Sequence, residues 1–323
     1  MKIYDQTFIA MLTSITQRHM VQNHLIDDNE VITLQPHHLV SVGGEMRSHY
    51  IVSCSKKRIR YFLKVRKETD TSLHCNAFLY KFKAPTGLCP YPLIVMPQFD
   101  FHGNQYNLYT FAEGETLEHL LPRYSPHECR RIAKKILAHI DALSSIHTPQ
   151  YSNHDQFVSE GYADIQIQKM LPKLHHQAFA KLPADLIYAA NQRCAEILAN
   201  SSFSVPTLLH MDIKPANIIY NKQADILSLI DFELARFGDF DYGWVQILLT
   251  GLKPYGNSYK DYILSELTKN RLTMEEALLI PKLRCYLFYQ LACNLIYYYE
   301  NQDEYPEEMY SLFIRLLNEL SAQ

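Results

Sequence analysis

The chain has 323 residues, 47% hydrophobic and 20% charged, with a formal net charge of −3. That is apolar material for a sizeable core, and it excludes a disordered chain. The small negative charge leaves no basic field to hold nucleic acid or an acidic membrane. The seven cysteines, Cys54, Cys75, Cys89, Cys129, Cys194, Cys285 and Cys293, are scattered without CxxC spacing, so they read as reduced thiols rather than zinc or redox pairs. No leader-like apolar region opens the chain, and no run approaches the roughly 18 apolar residues of a membrane span. A soluble, cytoplasmic protein without a membrane partner is expected.

In chain order, Ile3, Phe8, Met11, Leu12 and Ile15 fall at mostly helical spacing and predict an amphipathic helix within residues 3–25. Residues 31–66 change to short β-rich runs, VITLQ, HLVSV, HYIVSC and RYFLKV, punctuated by Gly43-Gly44 and by SKKR at 55–58. This texture predicts an antiparallel meander. A helix is expected over 70–83, then two strands, PLIVMPQF and YNLYTFA, joined by the turn FHGNQ at 101–105. EGETL at 113–117 closes the sheet. The next segment repeats Ile132, Ile136, Leu137, Ile140 and Leu143, which predicts a long helix with Ser125 as N-cap and Pro126 in its first turn. Residues 150–203 are weakly helical in pattern, and the chain is helical again from 257 to the end. The order predicts an α+β protein with a strand-rich lobe over 1–112 and a helix-rich lobe over 113–323.

The chemistry concentrates in Leu209 to Ile219, LHMDIKPANII, followed fourteen residues after Asn217 by Asp231, at the end of the apolar run ILSLI. An HxD triplet alone is common, and each acid taken singly reads equally well as a cap or a surface turn. The joint order is specific, and it resembles the catalytic and metal loops of kinases. The resemblance implies that Asp212 orients and deprotonates an attacking hydroxyl, that Asn217 and Asp231 hold Mg²⁺ through hard oxygens, and that Lys214 reaches the γ-phosphate. His210 would brace the loop. Upstream, Lys64 in FLKV stands where such enzymes keep a lysine on the α- and β-phosphates. Gly43 and Gly44 would let backbone N–H groups approach phosphate, although any tight hairpin favours such residues. LYTFA resembles the hinge strand, whose backbone at Thr110 and Ala112 would bond the nucleotide base, with Tyr109 lining the pocket. The acid expected to pair with Lys64 is not evident: Glu68 and Asp70 come too early, and the nearest register position is Asn76.

Two spacings separate the branches of this group. About 60 residues lie between Ile146-His147 and His210, where protein kinases run almost directly into the loop. After Asp231-Phe232-Glu233, Gly238-Asp239 and the apolar run Trp244 to Leu249 follow so closely that no peptide-binding platform fits. The combination is similar to the aminoglycoside phosphotransferase and choline kinase superfamily. That resemblance implies a two-lobed protein-kinase-like fold, with a small antiparallel-sheet N-lobe and a larger helical C-lobe. It also implies ATP or GTP as co-substrate, Mg²⁺, and a small hydroxylated acceptor. The acceptor would be an aminoglycoside-like antibiotic or a metabolite alcohol such as choline, handled by a monomer or homodimer. Met211 and Lys214-Pro215 look more like protein kinases than like antibiotic kinases. Gly243 falls where relatives often carry a second aspartate, with Asp241 nearby reading as a helix N-cap. Glu233, Asp239, Asp241 and the acidic run 303–308 would suit a cationic acceptor, or are simply solvated; tyrosines 297–299 read as an aromatic cation box or as ordinary helix surface. The alternatives are a protein serine/threonine kinase, suggested by Asp212-Ile213-Lys214-Pro215, and a nucleotide-binding pseudokinase, suggested by the unassigned partner of Lys64.

Overall fold

A computed structural model describes residues 6–42, 45–67, 96, 98–146, 172–202, 205–253, 255–256 and 258–322. In chain order its elements are α1 (Gln6–Gln22), β1 (Ile32–Val42), β2 (Glu45–Cys54), β3 (Arg60–Lys67), β4 (Phe99–Phe101), β5 (Asn104–Thr110), β6 (Glu115–Thr116), α2 (Leu117–Leu120) and α3 (Pro126–Ser144). There follow α4 (Ala184–Ala199), β7 (Thr207–Leu209), β8 (Ile218–Asn221), β9 (Ile226–Leu229), β10 (Arg236–Gly238) and α5 (Phe240–Thr250). The last helices are α6 (Ser265–Lys269), α7 (Met274–Leu279), α8 (Pro281–Glu300) and α9 (Glu307–Ser321). They form two compact units, Met1–Gly114 with Ile219–Glu233, and Glu115–Ile218 with Leu234–Gln323. No helix among the described residues is long and apolar enough to cross a membrane.

The first unit carries an antiparallel sheet in the order β1-β2-β3-β5-β4. The two runs VITLQ and HLVSV, expected as separate strands, are one strand. Its register shifts between Pro36 and His38, where proline has no N–H to give to the ladder. Val42 pairs with Glu45, and Gly43 and Gly44 lie outside the described residues. The helix expected over 70–83, Asn76, and most of the PLIVMPQF run also fall outside them. His102 and Gly103, at φ 50 and 67, turn β4 into β5; two successive positive φ angles match the right-handed twist of a two-residue hairpin. Along the strands, side chains alternate between faces. Tyr50, Val52, Tyr61, Leu63, Val65, Tyr106 and Leu108 therefore share one buried cluster with Leu12 and Met20 of α1. Lys64, between Leu63 and Val65, points to the opposite face.

In the second unit α3 begins as the sequence predicts. The Ser125 side chain accepts from Glu128 N–H and the Glu128 carboxylate accepts from Ser125 N–H, a reciprocal capping box. Ile132, Ile136, Ile140 and Leu143 form its buried face. Helix α8 is buried over most of its circumference, and two of its buried polar side chains are paired: Tyr289 donates to Asn191 at 2.8 Å, and Gln290 accepts from Tyr242 at 2.7 Å.

Candidate active site

The loop after β7 is shaped by its own backbone. Met211, buried at 5% exposure, sits at φ 65, a left-handed conformation that costs a side-chain-bearing residue about 1–2 kcal/mol. His210 is buried, and its Nδ1 accepts the Asp212 N–H at 3.3 Å, the bracing role expected of it. Asp212 Oδ2 accepts from Lys214 Nζ and from Asn217 Nδ2, each at 2.7 Å, and Asn217 Nδ2 also reaches the Asp212 carbonyl at 3.0 Å. Asn217 is buried, and with its amide nitrogen committed, Oδ1 is left as a hard oxygen donor. The second unit thus brings Asp212, Lys214 and Asn217 into one hydrogen-bonded group.

The first unit brings together the other pair. Lys64 Nζ donates to Asp231 Oδ1 at 2.8 Å. Asp231 follows β9, whose Leu227, Ser228 and Leu229 are buried, and it holds φ 66, which aspartate tolerates better than most residues. Among the described residues Lys64 thus meets Asp231, across 167 residues of chain; the helix expected to carry its acidic partner lies outside them. Thr110 ends β5 opposite Tyr61, and Ala112 follows it half-buried. Arg60 fixes this exit, lying 4.3 Å over the Phe111 ring and pairing with Glu113. Gly114 then passes so close to β8 that a Cβ would stand 2.5 Å from the Tyr220 carbonyl oxygen. Its φ of 132 also belongs to glycine alone. Nothing in the sequence motif marks that glycine.

Asp239, not Asp241, caps α5: its side chain accepts the Asp241 N–H at 3.2 Å. Asp241 instead lies in the first turn and pairs with Lys282 at 2.6 Å. Lys282 also bonds Asp239 at 2.9 Å, and Tyr286 donates to the same carboxylate at 3.0 Å. Burial works to lower the Lys282 pKa, but its bonds to Asp241 and Asp239 outweigh that and leave it above the ordinary value. A Cβ on Gly243 would come within 2.9 Å of the Leu209 side chain, so α5 rests closely on β7 and leaves little room for a larger residue there. Of the acidic run, Asp303, Glu304, Glu307 and Glu308 are exposed, and Glu308 pairs with Lys260 at 3.3 Å. Tyr297 and Tyr299 face solvent at 61% and 43% exposure while Tyr298 turns toward Tyr305, so the three do not converge on one box.

A lysine-bearing antiparallel sheet in one unit and an HxDxxxxN loop in a helical unit define the protein-kinase-like fold. Residues 41–258 match the model of the phosphotransferase enzyme family, APH, and the chain belongs to that family. Among solved structures, the GDP complex of wild-type aminoglycoside 2'-phosphotransferase-IIIa is similar at a TM-score of 0.59 and 16% identity, covering 96% of this chain and 98% of that one. A thermostable mutant of aminoglycoside phosphotransferase APH(4)-Ia, in ternary complex with ADP and hygromycin B, is similar at 0.58 and 16%, covering 95% and 96%. At these identities the likeness establishes the fold. A comparison with curated proteins finds no match.

Proposed function

We propose that the chain moves the γ-phosphoryl group of ATP or GTP to a hydroxyl of a small molecule. The observation that carries this reading is the Asp212 carboxylate, held at 2.7 Å by both Lys214 and Asn217 on a loop braced by His210. Phosphoryl transfer passes through a loose, highly charged transition state, so catalysis rests on positioning and charge neutralisation more than on a covalent nucleophile. In this reading Asp212 accepts the hydroxyl proton, and Lys214 leaves its carboxylate for the γ-phosphate when nucleotide binds. Lys64 holds the α- and β-phosphates, and the backbone of Thr110 and Ala112 meets the base. The Gly43-Gly44 turn would cover the phosphates. The hard-oxygen donors Asn217 Oδ1 and the Asp231 carboxylate fit Mg²⁺, which would neutralise charge on the phosphates.

The ADP and hygromycin B complex of the similar APH(4)-Ia supports a nucleotide and a hydroxylated acceptor, with an aminoglycoside or a metabolite alcohol such as choline as candidates. A protein-kinase reading has only the Asp212-Ile213-Lys214-Pro215 stretch in its favour. Asp239 already caps α5 eight residues after Asp231, leaving no peptide platform. Asp212→Ala should lower acceptor-dependent turnover by about 10²–10⁴-fold, the usual weight of a general base, while nucleotide binding by calorimetry stays near wild type. Full turnover in that variant would remove Asp212 from the reaction.

A further inference from the structure

Lys253 stands at the turn after α5. Its backbone N–H bonds the Thr250 carbonyl at 3.2 Å, and its own carbonyl accepts from the Tyr255 N–H at 2.8 Å, so the origins of both side chains are fixed. Helix α5 lies along the catalytic loop: Gly243, Trp244 and Ile247 line one small cavity with Leu209, His210 and Met211. Beyond the end of that helix, Lys253 is close enough to Asp212 and Lys214 for both charges to act on it. The charges of Asp212 and Tyr298 likewise act on Tyr255, whose ring lies 5.6 Å from that of Tyr259.

The charge balance here is uneven. Lys214 is matched by Asp212, whereas Lys253 is half-buried and makes no ion pair or side-chain hydrogen bond among the described residues. Among the described residues whose charges act on it, Asp212 is the one acid, and that carboxylate already has two donors. Burial comes first in pushing the Lys253 pKa down, with Asp212 opposing and Lys214 adding to it. A cation withdrawn from water without a close counter-charge gains from an anion placed beside it and is repelled by a second cation. The nearby carboxylate Glu118 is exposed and acts on Tyr255.

We propose that the acceptor carries an anionic group next to its reacting hydroxyl, bound by Lys253, with its carbon skeleton against Tyr255. This narrows the proposed phosphotransfer and rests on it; it disfavours a polycationic acceptor.

The test is nucleotide consumption with hydroxy acids (glycerate, gluconate), neutral polyols (glycerol, glucose) and cations (choline, kanamycin), on the full chain and on Lys253→Met and Lys253→Arg. The expected result is that a hydroxy acid gives the highest turnover. Lys253→Met should raise its KM at least tenfold with a much smaller change in the nucleotide KM, and Lys253→Arg should restore most of the loss. The inference is overturned if choline or kanamycin is the best acceptor, or if the nucleotide KM moves instead. It is also overturned if no hydroxy acid either supports turnover or raises the melting temperature of the wild type more than that of Lys253→Met. Transfer to a cation that Asp212→Ala abolishes would overturn the anion inference and leave the phosphotransferase reading standing. A hydroxy acid that stabilises the wild type but not Lys253→Met, with no phosphate transferred to any compound, would do the reverse.

Discussion

The loop of Asp212 and the pair of Lys64 with Asp231 hold charge in opposite ways. The hydrogen bonds that hold Asp212 close within eight residues, from His210 to Asn217, and the left-handed Met211 turns the chain between them. The Lys64–Asp231 contact joins a sheet strand to the end of β9 across 167 residues. A local arrangement is set once the backbone turns, while a long-range one exists only as long as the packing of its unit does. The loop should therefore tolerate disturbance of the first unit, and the lysine pair should not.

The largest effects test whether that pair acts as one device. With Asp231 in the metal-holding role proposed above, Asp231→Asn should lower kcat by about a thousandfold, since such a carboxylate supplies several kcal/mol of charge stabilisation. Lys64→Met should cost about 10–100-fold, the range of a charged hydrogen bond, mainly in the nucleotide KM. Because the two side chains touch, the double variant should lose less than the product of the single losses. Strict multiplicativity in steady-state kinetics would mean that the contact plays no part in turnover, and the contrast with the loop would fail.

Gly114 offers a smaller and purely structural way to separate the two regions. It lies against the backbone of Tyr220 in β8, which pairs with β9 and so leads to Asp231. An alanine there meets both a forbidden φ and a backbone clash, for a cost of about 2–4 kcal/mol. We expect Gly114→Ala to lower the thermal midpoint and to weaken nucleotide binding. An unchanged midpoint would show that β8 can retreat from residue 114 without loss.

The same contrast explains what could be read from the sequence. The grouping of the Asp212 loop was legible because it is contiguous: His210, Asp212, Lys214 and Asn217 meet in the structure because they are neighbours in the chain. Helix α3 was legible because Ser125, Pro126 and the isoleucine spacing are local signals, and the Gly103 turn for the same reason. The Asp231 partner of Lys64 was not, because no periodicity links positions 167 residues apart. VITLQ and HLVSV read as two short runs, whereas a register shift between Pro36 and His38 keeps them in one strand. Asp241 reads as the cap in the sequence although Asp239 also precedes the apolar run; the bond from Asp241 N–H to the Asp239 side chain decides between them. Lys253 and Tyr255 belong to no motif at all.

The smallest effect is a pH dependence that acts on the second unit and leaves the lysine pair aside. Burial drives the Tyr259 hydroxyl up to about 12, opposed by its bond with Thr250 at 2.9 Å. Burial likewise raises Tyr255 and Tyr289. An unfolded tyrosine ionises near pH 10, so above that pH the unfolded chain binds fewer protons than the folded one and stability falls as pH rises. Lys282 acts in the same direction: its folded pKa is raised, so its stabilisation is complete below the unfolded lysine value and lost as pH climbs through the folded one. Urea unfolding should thus give a stability that declines beyond about pH 10. Tyr259→Phe should flatten that decline by up to about 1.4 kcal/mol per pH unit between about pH 10 and 12, at a neutral-pH cost of about 1 kcal/mol for the lost hydrogen bond. If the slope is the same in both proteins, Tyr259 does not hold its proton through that window, and the alkaline weakening belongs to the other tyrosines and to Lys282.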